Sequence, residues 1–458
     1  MNQWPGQTTL YENRPAAAKA TGSLLYKHHL AIAVLLCMGY IITKQMKMEI
    51  PSIGFFCLIA LLVLRCNINR VTYLFFFLSP MYLFITAGSF PVYDLVVGML
   101  VLHRILQKKI RNAVVPIFAV CLLLILELVG MLVSGSFLTL NLVKLFVILL
   151  IAVLQIYDPP ADYDNTTAIK YLLWGTFIFA GMYILFNYNI MINPSNRTGG
   201  LGDLDPNTYA MYNLFAAAIA LQQIFLGKTD KKETLLYIAF IAVYIIGGFM
   251  TLSKTFAILL TIMVLLCLIL NFRSKKNLLL VAVVAGTFII FLNIPFFKGV
   301  LNELILRFTS ALNLNELTTG RAEIMAEYAA ALQKNPQVLV FGGGMQSYMG
   351  ALGIPYRPHN TVLELVSAWG VAGGFIFLYM FIRGAKTFGN AVQKKRIYAV
   401  NAVPMIILLL FFQTLTLLYQ EATYAYIIMA VMVLYMEPGR EVKQPQETRL
   451  VQRGVYRK

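Results

Sequence analysis

Runs of apolar residues alternate with short polar breaks along most of the chain. Each run is close to the roughly 20 residues that an α-helix needs to cross a bilayer. In the first half they fall at about 25–43, 50–65, 69–86, 91–107, 114–134, 139–157 and 168–188. In the second half they fall at about 207–227, 234–252, 255–272, 277–296, 361–384, 397–415 and 417–435. The pattern predicts an all-α polytopic membrane protein with about 14 transmembrane helices. Pro80 interrupts the third run, and a short turn near Thr416 separates the last two.

One stretch departs from this rhythm. Residues 297–360 are polar enough to leave the membrane, and they separate two long apolar runs. Within them Ala322, Met325, Tyr328, Ala329 and Leu332 recur at three- and four-residue spacing. That predicts a helix over Arg321–Lys334 with one apolar stripe. Thr318 and Thr319 stand where caps belong, and Asn335-Pro336 ends the helix. The glycines at 342–344 read as a flexible turn, or as a place where the backbone takes an unusual path or comes close to a ligand. The expected organisation is a polar tail (1–24), a bundle of about 11 spans (25–296), an extracytoplasmic loop with short helices (297–360), further transmembrane helices (361–435) and a basic tail (436–458).

Composition excludes the soluble classes. Hydrophobic residues make up 59% and charged residues 12%, with mean hydropathy +0.73; soluble domains carry about 25% charged residues. The first residues are polar and include Arg14 and Lys19, so no cleavable signal peptide is expected. The net charge of +17 fits basic loops held in the cytoplasm better than a nucleic-acid surface, and no nucleic-acid partner is expected. Arg65 and Arg70, Lys108 to Arg111, Lys228 to Lys232, Arg273 to Lys276 and Lys386 to Arg396 fall on the side of both termini, which makes that side cytoplasmic. Lys44 and Lys47 are the short-loop exceptions. The loop 297–360, the loop 192–207 and the hairpin carrying Ser253 and Lys254 then share the outer face. Lys254 reads either as a lysine snorkelling to headgroups or as a cation aimed into a polar cavity.

Several motifs carry little. Cys37, Cys57, Cys66, Cys121 and Cys267 lie in or beside apolar runs, so neither disulfides nor a thiolate metal site is expected. Asp203-Leu204-Asp205 has the form of a divalent-metal motif but reads as a turn and helix cap beside Pro206. Ser253 has no histidine in sequence reach to make it a nucleophile. No metal and no cofactor is expected.

Four pieces carry a family resemblance. They are Arg197 to Asn207; Leu252-Ser253-Lys254 followed by a span; Thr319-Gly320-Arg321 with Asn335-Pro336 and the glycines; and His359-Asn360 with Glu364 and Gly370 entering the next span. Their order, spacing and shared face resemble the bacterial O-antigen polymerase and O-antigen ligase superfamily. The first half matches only as a hydrophobic frame. The resemblance implies a metal-independent glycosyltransferase of polysaccharide biosynthesis in the bacterial cytoplasmic (inner) membrane. It takes a saccharide from an undecaprenyl diphosphate carrier at the outer face. A polymerase adds it to another saccharide chain; a ligase passes it to a lipid or protein. Arg321 matches the family's loop arginine and His359 its loop histidine. Lys254 stands where a second arginine is usual, which keeps the charge and loses the bidentate fork. The matching pieces supply Arg197, Asn207, Asn360, Glu364 and Gly343 as substrate-binding positions. The implied partners are the undecaprenyl-diphosphate-linked oligosaccharide, membrane lipid and, for a polymerase, a chain-length regulator protein. Two other classes fit the span count: a flippase or transporter, which calls for polar residues within spans and an internal repeat, and a membrane scaffold.

Overall fold

The computed structural model describes residues 28–107, 114–137, 139–160, 163–187, 201, 204–227, 229–270, 282, 286, 289, 293, 295–310, 320–391 and 397–437. Among these the protein is almost wholly helical. The first helices are α1 (His29–Gln45), α2 (Glu49–Leu64), α3 (Ile68–Leu78), α4 (Val92–Leu106), α5 (Val114–Ser134), α6 (Leu140–Tyr157) and α7 (Asn165–Phe186). The chain continues through α8 (Pro206–Phe225), α9 (Lys231–Met250), α10 (Lys254–Leu270) and α11 (Pro295–Thr309). Three short helices follow, α12 (Arg321–Lys334), α13 (Pro336–Phe341) and α14 (Tyr348–Leu352). The last are α15 (Thr361–Ala391), α16 (Ala402–Phe412) and α17 (Thr423–Leu434). A two-stranded antiparallel hairpin, β1 (Thr86–Ala87) with β2 (Phe90–Pro91), joins α3 to α4.

Five helices, α5, α6, α7, α9 and α15, are long and apolar enough to cross a membrane. This is an all-α membrane protein. At its centre stands α8, where every residue from Asn207 to Ile224 is buried. Its alanines let neighbours approach closely, as small residues do between membrane helices. Leu35, Ile105, Leu132 and Phe375 face outward, as lipid-facing side chains do in a bilayer.

Three expected spans are shorter than the pattern suggested. α3 ends at Leu78, where a 3-10 turn over Ser79–Met81 contains Pro80. Its 11 residues rise about 16 Å, half the roughly 30 Å hydrocarbon thickness. α16 and α17 are 11 and 12 residues long, and the non-helical stretch 413–422 separates them rather than a short turn. The run 277–296 falls mostly outside the described residues.

Contacts at the helix ends fix their relative direction. Lys144 near the start of α6 bridges Asp94 at the start of α4, and at their far ends Arg104 donates to Gln155 and approaches Asp158. Thr208 at the start of α8 accepts from Gln420 just ahead of α17, while Gln222 near the end of α8 donates to Val433 O near the end of α17. The pairs α4/α6 and α8/α17 are therefore parallel. α10 starts against the start of α8 through Ser253 and Asn207. α15 starts against residues 415–418, through Thr361 and Glu364. Six helices thus begin at one end of the bundle.

α15 is broken at Gly370, which has φ +69. The break frees carbonyls, and the 342–344 segment takes them up: Gly343 N donates to Ser367 O at 2.8 Å and Gly344 N to Ala368 O at 2.9 Å. The contact is too close for side chains. A Cβ on Gly370 would lie 2.1 Å from Val340 O, and one on Gly342 2.1 Å from Ala368 O. Glu127 of α5, fully buried, accepts from Met345 N and from Trp369 Nε1. The glycine run is a packed joint between the loop and two membrane helices, not a flexible turn.

Candidate functional site

The site is assembled from starts of helices. Asp205 accepts from Asn207 N and Thr208 N and so caps α8, with Pro206 in the first turn. This is the turn-and-cap role expected of it. Ser253 caps α10 by accepting from Phe256 N, and its hydroxyl donates to Asn207 Oδ1 at 2.8 Å. The tight turn from α9 into α10 puts Leu252 at positive φ. Lys254 is the first residue of α10 and is half-buried, with Nζ 6.0 Å from the Phe308 ring centroid of α11.

Arg321 opens α12, which spans the residues that its apolar spacing predicts. Tyr328 and Leu332 are buried and Ala329 is exposed. The preceding residue is Gly320 in the left-handed region, and among the described residues no side chain caps the helix; Thr318 and Thr319 lie outside them. Arg321 Nη1 donates to Thr255 Oγ1 at 3.4 Å, so it stands next to Lys254. Burial disfavours its charge and Asp205 favours it; a guanidinium remains charged through such a shift.

His359 has φ +47, one of three positive-φ non-glycine residues among those described. Such backbone costs about 1–3 kcal/mol and survives only where its surroundings fix it. The fixing is visible in the next residue. Asn360 caps α15 by accepting from Val362 N and Leu363 N, and its amide donates to Gln413 O. Burial, Arg321 and Arg357 push the His359 imidazole below its usual 6.5, while Asp205 pulls the other way. His359, Arg321 and Asp205 therefore share one electrostatic neighbourhood.

The structure thus brings Lys254, Arg321, His359 and Asn207 to one place. Asn360 stands there as a cap. Glu364 is fully buried and accepts from Leu418 N at 3.0 Å, with Arg357 Nη1 3.7 Å away. Gly343 lies in the packed joint, its amide spent on Ser367 O. Asn360 and Gly343 make these bonds within the protein, whereas Glu364 keeps Oε1 buried without a hydrogen-bond partner among the described residues. Arg197 lies outside the described residues.

Sequence reasoning missed Arg357. It sits two residues before His359, and its guanidinium lies 4.5 Å from the Tyr419 ring centroid. The signal was present: a second base beside the histidine, next to Pro358. It also missed Glu127, a single acid in an otherwise apolar span, the kind of residue that marks a buried polar contact.

Chemically, Lys254, Arg321 and Arg357 supply three cations around an imidazole. The starts of α8, α10, α12 and α15 add the partial positive charge of helix N-termini. Such an arrangement is chemically able to bind a polyanion and to stabilise negative charge that grows on a leaving group.

Fold and site together define the class: a helical membrane protein with a cationic, histidine-containing site at one end of its bundle. No family model, curated protein or solved structure matches the chain.

Proposed function

We propose that this protein is a polysaccharide polymerase of the O-antigen polymerase and ligase type. In this reading the chain spans the bacterial cytoplasmic membrane about 14 times, with both termini inside and the cationic site at the outer face. The donor is an undecaprenyl-diphosphate-linked saccharide and the acceptor is the end of another saccharide chain. The observation that carries the reading is the meeting of Lys254, Arg321 and His359, from three distant stretches, beside Asn207.

The reaction balances with the groups present. The acceptor hydroxyl oxygen attacks the anomeric carbon of the donor. The bond from that carbon to the diphosphate oxygen breaks. The hydroxyl proton passes to the imidazole of His359, whose lowered affinity for protons keeps it neutral and able to accept one near pH 7. The diphosphate leaves with its added negative charge, which Arg321 and Lys254 stabilise. Arg357 lies on the His359 side of the same neighbourhood.

The test uses purified protein with lipid-linked saccharide, following chain length on a gel. Arg321→Ala and Lys254→Ala are each expected to reduce product at least tenfold, with folded protein retained. Lys254→Arg is expected to keep substantial activity, because it keeps the charge and adds the fork. Full activity in Lys254→Ala would assign that lysine to the headgroups. Product attached to a lipid or protein acceptor, without chain growth, would replace polymerase by ligase.

A further inference from the structure

A second polar cluster lies beside the cationic site and has the opposite character. Lys144 Nζ sits 2.6 Å from Asp94 Oδ1 and 2.7 Å from Glu421 Oε1. These side chains come from the starts of α6 and α4 and from the stretch ahead of α17. They are 15–22% exposed, so the cluster reaches the surface. Tyr93 and Tyr212 stand behind it, both fully buried and within electrostatic reach of Glu421.

The hydrogen bonding of this cluster is incomplete. Tyr93 Oη, Tyr212 Oη and Glu421 Oε2 are buried and have no hydrogen-bond partner within the described protein, and the same holds for Gln420 Oε1 and Thr423 Oγ1 on the stretch that carries Glu421. Each such group costs about 1–3 kcal/mol. A purely structural ion triad needs none of them. Glu421 Oε2 and Gln420 Oε1 can only accept, and the hydroxyls both donate and accept. A species that both donates and accepts, water or the hydroxyls of a ligand, can complete the set. Two carboxylates against one ammonium disfavour an acidic ligand. The ammonium already fills the space between the carboxylates, which disfavours a metal ion.

We infer that Asp94, Lys144 and Glu421, backed by Tyr93 and Tyr212, form a binding subsite for the hydroxyls of a neutral saccharide. Its role as the place where sugar rings lie while the diphosphate sits at Arg321 and Lys254 rests on the proposed transfer reaction. Gln420 joins the two regions: its amide donates to Thr208 Oγ1, next to Asn207, which holds Ser253 and so the start of α10. One polar track therefore runs from a cationic end to an anionic end, as a donor with a charged carrier and an uncharged glycan requires.

The orphan hydroxyls make the test clean. Removing a hydroxyl that has no partner in the protein is neutral or stabilising for the fold, yet it removes a ligand contact. The probe is the free oligosaccharide released by mild acid from the cell's own lipid-linked saccharides, with oligogalacturonate as an acidic control. Binding to the full-length protein in nanodiscs is followed by saturation-transfer NMR, beside thermal unfolding. Tyr93→Phe and Tyr212→Phe are expected to keep the wild-type Tm or raise it while weakening probe binding about fivefold to tenfold. Glu421→Gln is expected to weaken it more than tenfold, and oligogalacturonate is expected not to compete. Wild-type binding in both tyrosine variants, or equal binding of oligogalacturonate, overturns the subsite. Binding is read without turnover, so the two readings fail separately. A protein that binds the probe but never transfers saccharide sinks the transferase reading alone. One that transfers while the tyrosine variants bind normally sinks the subsite alone.

Discussion

Ser253 donates its hydroxyl proton to Asn207 Oδ1 at 2.8 Å, and through that bond the start of α10 is held against the start of α8. Ser253 Oγ also caps α10 by accepting from Phe256 N. Lys254 follows directly, so its position depends on Ser253. Ser253→Ala is expected to cost about 1 kcal/mol from the lost cap and to lower transfer activity several-fold with Lys254 intact. Ser253→Thr, which keeps the hydroxyl, is expected to restore most of both. Thermal unfolding and the gel assay read the two effects.

The joint at Glu127 offers a test of the fold. Glu127→Gln keeps one oxygen that both Met345 N and Trp369 Nε1 can reach but sets an amide NH2 where the other oxygen accepted from Met345 N, and is expected to be the mildest of the three changes. Glu127→Leu leaves both donors buried and unpaired, at about 1–3 kcal/mol each. Gly370→Ala is expected to be worse, because its Cβ would lie 2.1 Å from a backbone oxygen that cannot swing away. Folded yield in detergent and Tm rank the three variants.

His359 sets the pH dependence. Burial, Arg321 and Arg357 lower its proton affinity below the usual 6.5. The neutral form, the one able to act as a base, therefore persists below pH 6.5, and the acid limb of kcat/KM is expected below that value. Replacing Arg357 by Gln removes one of these causes and is expected to move the limb upward. The stability sign follows the same shift. Above 6.5 the histidine is neutral in both states and costs nothing; as pH falls, the unfolded chain binds the proton first and the folded state loses stability. His359→Ala is expected to reduce transfer about 10²–10⁴-fold while carrier binding remains. A folded His359→Ala protein with normal product would remove the residue from the reaction.

Topology is testable directly. In a cysteine-free background, Asn302→Cys and Gln107→Cys place single thiols at exposed positions. An impermeant reagent added to intact cells is expected to label position 302 and to leave 107 unlabelled until the membrane is opened. The reverse result would put the cationic site in the cytoplasm.

The membrane class and most helix positions were legible because they depend on local properties. An apolar run of about 20 residues forms a helix in lipid whatever surrounds it, and the helix over Arg321–Lys334 follows from its own stripe and its Asn335-Pro336 stop. Lengths were less legible where neighbours intervene. The run 397–435 reads as two spans, yet residues 413–422 leave the helix, and there their backbone meets Asn360, Thr361 and Glu364. A non-helical stretch at that depth is allowed only because protein surrounds it.

The sequence by itself determined the apolar runs, the helix over Arg321–Lys334 with its stop, and the placing of Lys254, Arg321 and His359 in the polar breaks between runs. The tertiary structure decided which of them act together. Arg321 finds Thr255 across 66 positions, Glu127 finds Met345 across 218, and Lys144 joins Asp94 to Glu421. No local pattern encodes such pairings, because they depend on how helices that are each stable alone pack side by side. The same packing bonds Gly343 and Asn360 within the protein, leaves Glu364 Oε1 without a hydrogen-bond partner among the described residues, and gathers Lys254, Arg321, Arg357 and His359 at one end of the bundle.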